Sequence, residues 1–251
     1  MLKKIIIALL LIILTSGLFY LGYYLYITYF QSSSQTVTQP TTTEKPKTEE
    51  GVLYQSDFSK SSALSDWQII DEPYAVEGPS NWKIENNNLV QTSNIWGGTF
   101  GEPVISKSYL GTLAYLKQGL AWQNYEVDLK FNPTDNDGVG FIVRYQDQNN
   151  YYKVMIVLDS EKDNGGPFIK IDKNLNGTFI TLFQKPLTYK LGQENTIKIV
   201  VNGALIEVYL NSDTKTIWAT DPDASFKTGS FGLSCFAEEG VSFWNIVIKS
   251  I

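Results

Sequence analysis

In 251 residues the chain has no histidine, one cysteine, one arginine and two methionines. Each shortage closes off a class of chemistry. Without histidine there is no His-ligated zinc, no Ser-His-Asp triad and no Cys-His nucleophile. The lone Cys235 cannot form an internal disulfide. Its setting, Gly-Leu-Ser-Cys-Phe-Ala, reads as an apolar strand that buries a small hydrophobe rather than presenting a thiolate. Basic clusters are missing beyond the first few residues and the formal charge is −6, so a phosphate backbone has little to hold and nucleic acid is excluded as a partner. Beyond residue 50 there is no convincing amphipathic helix and no internal repeat.

What is present begins with an uncharged run over residues 5–30, IIIALLLIILTSGLFYLGYYLYITYF, behind Lys3 and Lys4. Spanning hydrocarbon takes about 20 apolar residues, so this run is expected to be a transmembrane helix. Tyr20, Tyr23, Tyr24, Tyr26 and Tyr29 crowd its outer end like an interfacial aromatic belt, and the run is longer than the apolar core of a cleaved signal. Residues 1–4 are then the cytoplasmic end, and the C-terminal bulk is extracellular on a single-pass anchor at the cell membrane. No lipobox cysteine follows. Residues 31–50, QSSSQTVTQPTTTEKPKTEE, have almost no large apolar groups and are expected to form a Ser/Thr/Pro-rich linker.

From residue 51 to 251, short β-rich runs alternate with turn residues. Strands are expected near 52–58, 82–85, 88–92, 110–117, 122–131, 139–147, 150–159, 167–173, 177–184, 194–202, 204–211, 215–220, 229–237 and 241–250. That pattern predicts an all-β, antiparallel two-sheet jelly-roll sandwich. Asn202-Gly203 marks a hairpin. Asn176-Gly177-Thr178 is a glycosylation sequon placed in another hairpin turn, where Asn176 should be exposed.

The sole arginine, Arg144, lies in a hairpin closed by Asp147-Gln148-Asn149-Asn150. Matching apolar residues pairs Phe141 with Ile156, Val143 with Val154 and Tyr145 with Tyr152. The other face then sets Arg144 opposite Lys153, an unfavourable pair that calls for an acid. If strand 122–131 lies alongside, Glu126 or Asp128 supplies it. The expected result is a polar ladder of Glu126, Asp128, Arg144, Gln146, Tyr151 and Lys153, either a solvated register device or the floor of a sugar-binding groove. Trp96, in the Gly-rich stretch Asn-Ile-Trp-Gly-Gly, is a further candidate platform, whereas Trp67, Trp82 and Trp122 are expected in the core.

The segments DFSKSSALSDW (57–67), WKIENNNLVQ (82–91), WQNYEVDLKF (122–131) and VSFWNIVI (241–248), with the Arg144 hairpin, resemble the concanavalin A-like, or laminin G-like, jelly-roll superfamily. The nearest likeness is to 3-keto-disaccharide hydrolase-like and family 16 glycoside hydrolase-like modules. The resemblance implies an extracellular domain with a concave sheet that meets glycans, and often a structural calcium ion near the chain ends. Calcium-binding members have F-D-N where this chain has F-W-N at Phe243-Trp244-Asn245, which leaves Asp57 and Asn245 as oxygen ligands. Family 16-like enzymes have E-x-D-x-E or E-x-D-x-x-E; here Glu126-Val127-Asp128-Leu129-Lys130-Phe131 lacks the second glutamate. Retaining hydrolysis needs two paired carboxyl groups.

The reading is a membrane-anchored module that binds a glycan or a cell-surface protein without catalysis. The alternatives are a glycoside hydrolase-like enzyme and a structural subunit of a surface assembly.

Overall fold

The computed structural model describes residues 51–97, 109–160 and 165–251. The chain divides into two units, Met1–Lys47 and Thr48–Ile251, and every described residue lies in the second. The expected transmembrane helix and the whole of the expected linker fall outside the described residues; among these, no helix is long and apolar enough to cross a membrane.

The described residues build two antiparallel sheets. In sheet I the order is β15 (Ile217–Thr220), β14 (Leu205–Leu210), β13 (Asn195–Asn202), β8 (Tyr125–Pro133), β17 (Val241–Ser250), β5 (Asn88–Gln91) and β4 (Trp82–Glu85). Strand β1 (Val52–Ser56) also pairs with β17. Sheet II runs β12 (Thr178–Pro186), β11 (Phe168–Leu175), β10 (Asn150–Val157), β9 (Gly138–Asp147), β16 (Ser230–Phe236), β7 (Thr112–Leu116) and β2 (Trp67–Asp71). A small third sheet pairs β3 (Ala75–Val76) with β6 (Trp96–Gly97).

Alternation explains the layers. Along β8 burial strictly alternates, with Tyr125, Val127, Leu129 and Phe131 turned inward and Glu126, Asp128 and Lys130 outward. Phe141 and Val143 of β9 join the same core from the other sheet. The rings of Phe131 and Phe141 meet edge to face at 5.3 Å. Each such fully buried side chain stabilises the fold by about 1.5–3 kcal/mol. Trp67 and Trp82 are buried in this core, Trp122 packs against it, and Cys235 is wholly buried, its thiol pKa pushed well up by that burial. The two-residue turn at Asn176-Gly177 has φ of 53° and 79°, a conformation that asparagine and glycine tolerate, and Asn176 is exposed as expected.

Two expectations fail on register. Strands β8 and β9 do not pair; their matched apolar residues face one another across the core instead of lying side by side. The hairpin starts in the expected register, Asn150 opposite Asp147, and then slips. Beyond the slip Val143 lies opposite Tyr152 and Ile142 opposite Lys153, so Arg144 does not oppose Lys153. The cause is a bulge centred on Arg144, whose φ is 54°. Gly229 abuts it so closely that a Cβ there would stand 2.3 Å from the Arg144 carbonyl carbon.

Candidate functional site

The single ladder expected from sequence is divided among three places. Glu126 and Asp128 stand on the outer face of sheet I. Arg144 enters one end of the sandwich, Gln146 is exposed beside it, and Tyr151 and Lys153 occupy the outer face of sheet II.

At the sandwich end, the bulge turns Arg144 inward, where it is 1% exposed. Its Nη1 donates to the Phe226 carbonyl at 2.8 Å, and its Nη2 to Asn124 Oδ1 and the Gly203 carbonyl, both at 3.2 Å. Its backbone N–H donates to the Tyr125 hydroxyl at 2.9 Å. No carboxylate is among these partners. Burial lowers the guanidinium pKa. The neighbouring network does have charge of both signs: Tyr152 donates to Asp221 at 2.7 Å and Lys173 to the same carboxylate at 2.8 Å. Burial pushes Asp221 up, but Lys173, Tyr152 and Ser225 more than offset it and hold the carboxyl well below its ordinary range. Gln146 donates to the Thr228 carbonyl at 3.2 Å.

On the outer face of sheet II, polar side chains are buried. Glu72, on the turn after β2, accepts the Tyr151 hydroxyl at 2.5 Å, Lys153 Nζ at 3.2 Å and the Gly111 N–H at 2.8 Å. Lys153 also donates to the Tyr109 carbonyl at 3.1 Å. Burial and the adjacent Glu72 raise the Tyr151 pKa well above the ordinary value. Beside this group Lys170 pairs with Asp172 at 2.5 Å, and Thr181 donates to the same carboxylate at 2.7 Å. Tyr115, Tyr145 and Tyr151 stack in a row across the strands, with centroid separations of 4.1 and 5.9 Å.

The outer face of sheet I is open. A recess of about 770 Å³ is lined by Glu126, Asp128 and Lys130 of β8, Thr196, Lys198 and Val200 of β13, and Tyr209 of β14, with Asn211, Ser212, Asp213 and Asn245 at its rim. Lys198 bonds Glu126 at 2.6 Å, and Lys130 bonds Glu194 at 2.8 Å. Partial burial raises the Asp128 pKa, opposed by Lys198 and reinforced by Glu126. This floor offers acceptors, donors and an aromatic ring together, as sugar recognition requires.

Asp57 and Asn245 are the next residues beyond the opposed pair Ser56 and Ile246 of β1 and β17, and they line different recesses. Asp57 lines a separate recess of about 510 Å³ with Ser59, Lys60 and Asp66, and its Oδ1 accepts the Ser59 N–H at 2.9 Å. That bond lowers its pKa. Asn245 sits at a bulge of β17 with φ of 49°. Among the described residues no three acidic, Cys or His side chains are grouped to hold a metal ion. Asp135, Asn136 and Asp137 form a bend before β9, and the fully buried Glu238 lies over it, its Oε1 accepting the Asp135 N–H at 3.0 Å. Trp96 is half-buried, opposite Val76, and packs against the small cluster of Tyr109, Met155, Val157, Phe168 and Phe236 rather than standing clear.

Glu72, Lys170, Asp172, Lys198 and Tyr209 were not legible as site residues. Alternation in Thr-Ile-Lys-Ile-Val is a signal that places Lys198 on an outward face, though it names no neighbour, and Glu72 lies before a proline in a turn, where no periodicity operates.

A family model described as a 3-keto-alpha-glucoside-1,2-lyase-like domain matches residues 54–249. The chain belongs to that family. No curated protein matches the sequence. Its fold is similar to that of a carbohydrate binding module, CBM66, from Bacillus subtilis, at 15% identity and a TM-score of 0.54 over 74% of this chain and 96% of that one. A Bacillus subtilis protein of unknown function with a galectin-like fold aligns at 10% identity and a TM-score of 0.57, over 80% and 96% of the two chains. A xylan beta-1,4-xylosidase from Bacillus halodurans aligns at 14% identity and a TM-score of 0.51, over 86% of this chain and 41% of that one. At these identities the likeness is one of fold.

Proposed function

We propose that the domain is a non-catalytic glycan-binding module, held outside the cell membrane by the uncharged run at 5–30. The observation that carries this reading is the open recess on sheet I, large enough for several sugar rings and floored by paired charges beside Tyr209. A fold shared with a carbohydrate binding module supports it. The absence of chemistry rests on the recess itself. Glu126 is engaged by Lys198, and Lys130, engaged by Glu194, occupies the place where a second catalytic glutamate would stand. The test is retention of the protein on a panel of insoluble and immobilised polysaccharides, with product analysis of the supernatant. Retention without released sugar, abolished by Lys198→Ala together with Tyr209→Ala, is the expected result; failure on every polysaccharide would end this reading.

The buried Glu72–Tyr151–Lys153 group favours a second reading. Elimination across C1 and C2 of a 3-keto glucoside passes the C2 proton to a base and stabilises the enolate oxygen on a donor. The C1–C2 double bond then forms as the C1–O bond breaks and the departing oxygen takes up a proton. A carboxylate, a phenol and an ammonium group within hydrogen-bonding reach of one another have that composition. Loss of a 3-keto disaccharide in the presence of the protein, abolished by Glu72→Gln in a variant that circular dichroism shows still folded, would replace binding by catalysis as the main activity.

A further inference from the structure

Beyond Tyr209, where the recess ends, the outward face of sheet I continues. Cross-strand registers carry the same outward face on to Trp218 at the edge strand: Trp218 lies opposite Glu207, Glu207 opposite Val200, Val200 opposite Glu126, and Glu126 opposite Lys249. The neighbouring row runs Tyr209, Lys198, Asp128, Val247. Ile217 and Ala219 point into the core, so Trp218 must point out, and it is 53% exposed. Phe183 of the other sheet stacks on its ring at 6.2 Å, which fixes the indole in place.

Three of the four lysines along this path are already paired. Lys198 is bound to Glu126, Lys130 to Glu194 and Lys215 to Glu207. Asp128 and Asp213 add two further carboxylates to the recess. The fourth, Lys249, lies opposite Glu126 and within the field of Asp128, so an anionic sugar would meet five carboxylates against four lysines, whereas sugar hydroxyls can donate to those carboxylates. At the aromatic end Phe183 and the Lys215 ammonium, 5.4 Å from the ring centroid, already lie against Trp218, and a pyranose ring would present its C–H side there in place of that ammonium group. Four strand spacings of about 4.8 Å separate β15 from β17, a run of roughly 19 Å, the length of about four linked pyranose rings.

Resting on the glycan-binding reading above, we infer that this face takes a neutral, linear oligosaccharide segment of about four sugars laid across the strands, with one terminal ring stacked on Trp218. The test is titration calorimetry on the full-length chain in a non-glycosidic detergent. The probes are neutral tetrasaccharides (cellotetraose, xylotetraose and maltotetraose), their disaccharides, and tetragalacturonate as the acidic counterpart. One neutral tetrasaccharide should bind with little dependence on salt. Trp218→Ala should weaken it about tenfold while leaving the disaccharide within about twofold, and Trp218→Phe should restore most of the loss. Preference for tetragalacturonate would overturn this inference and leave the binding reading standing. A neutral tetrasaccharide held equally by folded Trp218→Ala would overturn the platform. No binding by any saccharide would overturn both.

Discussion

The outer faces of the two sheets have the same chemistry and opposite circumstances. Both carry lysine–carboxylate pairs on alternate strand positions. On sheet I the pairs are exposed: the side chains of Lys130 and Glu194 are 37% and 51% accessible. On sheet II the corresponding figures for Lys153 and Glu72 are both 1%. Exposed pairs are screened and give up side-chain entropy to form, so their net contribution is small. Buried pairs have lost their hydration, and each partner becomes the other's main compensation. One face can therefore be remodelled by a ligand, while the other is locked to the fold.

The largest effect should come from breaking the buried pair on one side only. Lys153→Met leaves the Glu72 carboxylate buried without its cation and is expected to cost about 3–5 kcal/mol in denaturant unfolding. Glu72→Gln combined with Lys153→Met should cost much less than the two single losses added, because neither charge is then orphaned. Simple additivity would show that the pair is not coupled and would blur the contrast between the faces.

A second, intermediate effect depends on pH. Burial pushes the Glu238 carboxyl up to about 9, against the pull of the Asp135 N–H and with the further push of Asp135 and Asp137. The folded state therefore keeps a proton that the unfolded chain releases near 4.5. Its stabilising contribution is full below that value and is lost as pH rises from about 4.5 to about 9. Unfolding midpoints measured from about pH 5 to pH 9 should decline in the native chain and flatten in Glu238→Gln. An unchanged slope in the variant would remove Glu238 as the cause.

The smallest effect tests the open face. Lys130→Ala removes only its exposed pair with Glu194 and should change stability by about 0–1 kcal/mol, less still at high salt. A loss above about 2 kcal/mol would mean that the two faces are not energetically distinct.

Much of the fold could be read directly because its strands obey the period of two. The strand 241–250 and the turns at Asn176 and Asn202 fall where alternation and turn chemistry put them. The strand Trp67–Asp71 was missed because Trp-Gln-Ile-Ile-Asp does not alternate cleanly. The site was harder to read for two physical reasons. Alternation tells which residues turn outward but not whether another segment covers them, so the polar residues of sheet II look like a solvated face while Lys153 is fully buried. A bulge also inverts parity beyond itself, and nothing in Phe-Ile-Val-Arg-Tyr-Gln announces one. Arg144, expected beside Glu126 on an open surface, is the residue on which both effects fall.

The three acceptors of that guanidinium come from three separate connections: Asn124 before β8, Gly203 between β13 and β14, and Phe226 between β15 and β16. Loops are ordinarily free to lengthen, shorten and diverge one at a time. Here an insertion in any one of them moves an oxygen away from a cation that the other two cannot satisfy alone. At this end of the sandwich the loops are bound to change together or not at all, and anyone using the scaffold to display new sequences would have to redesign the three as one element or leave them untouched.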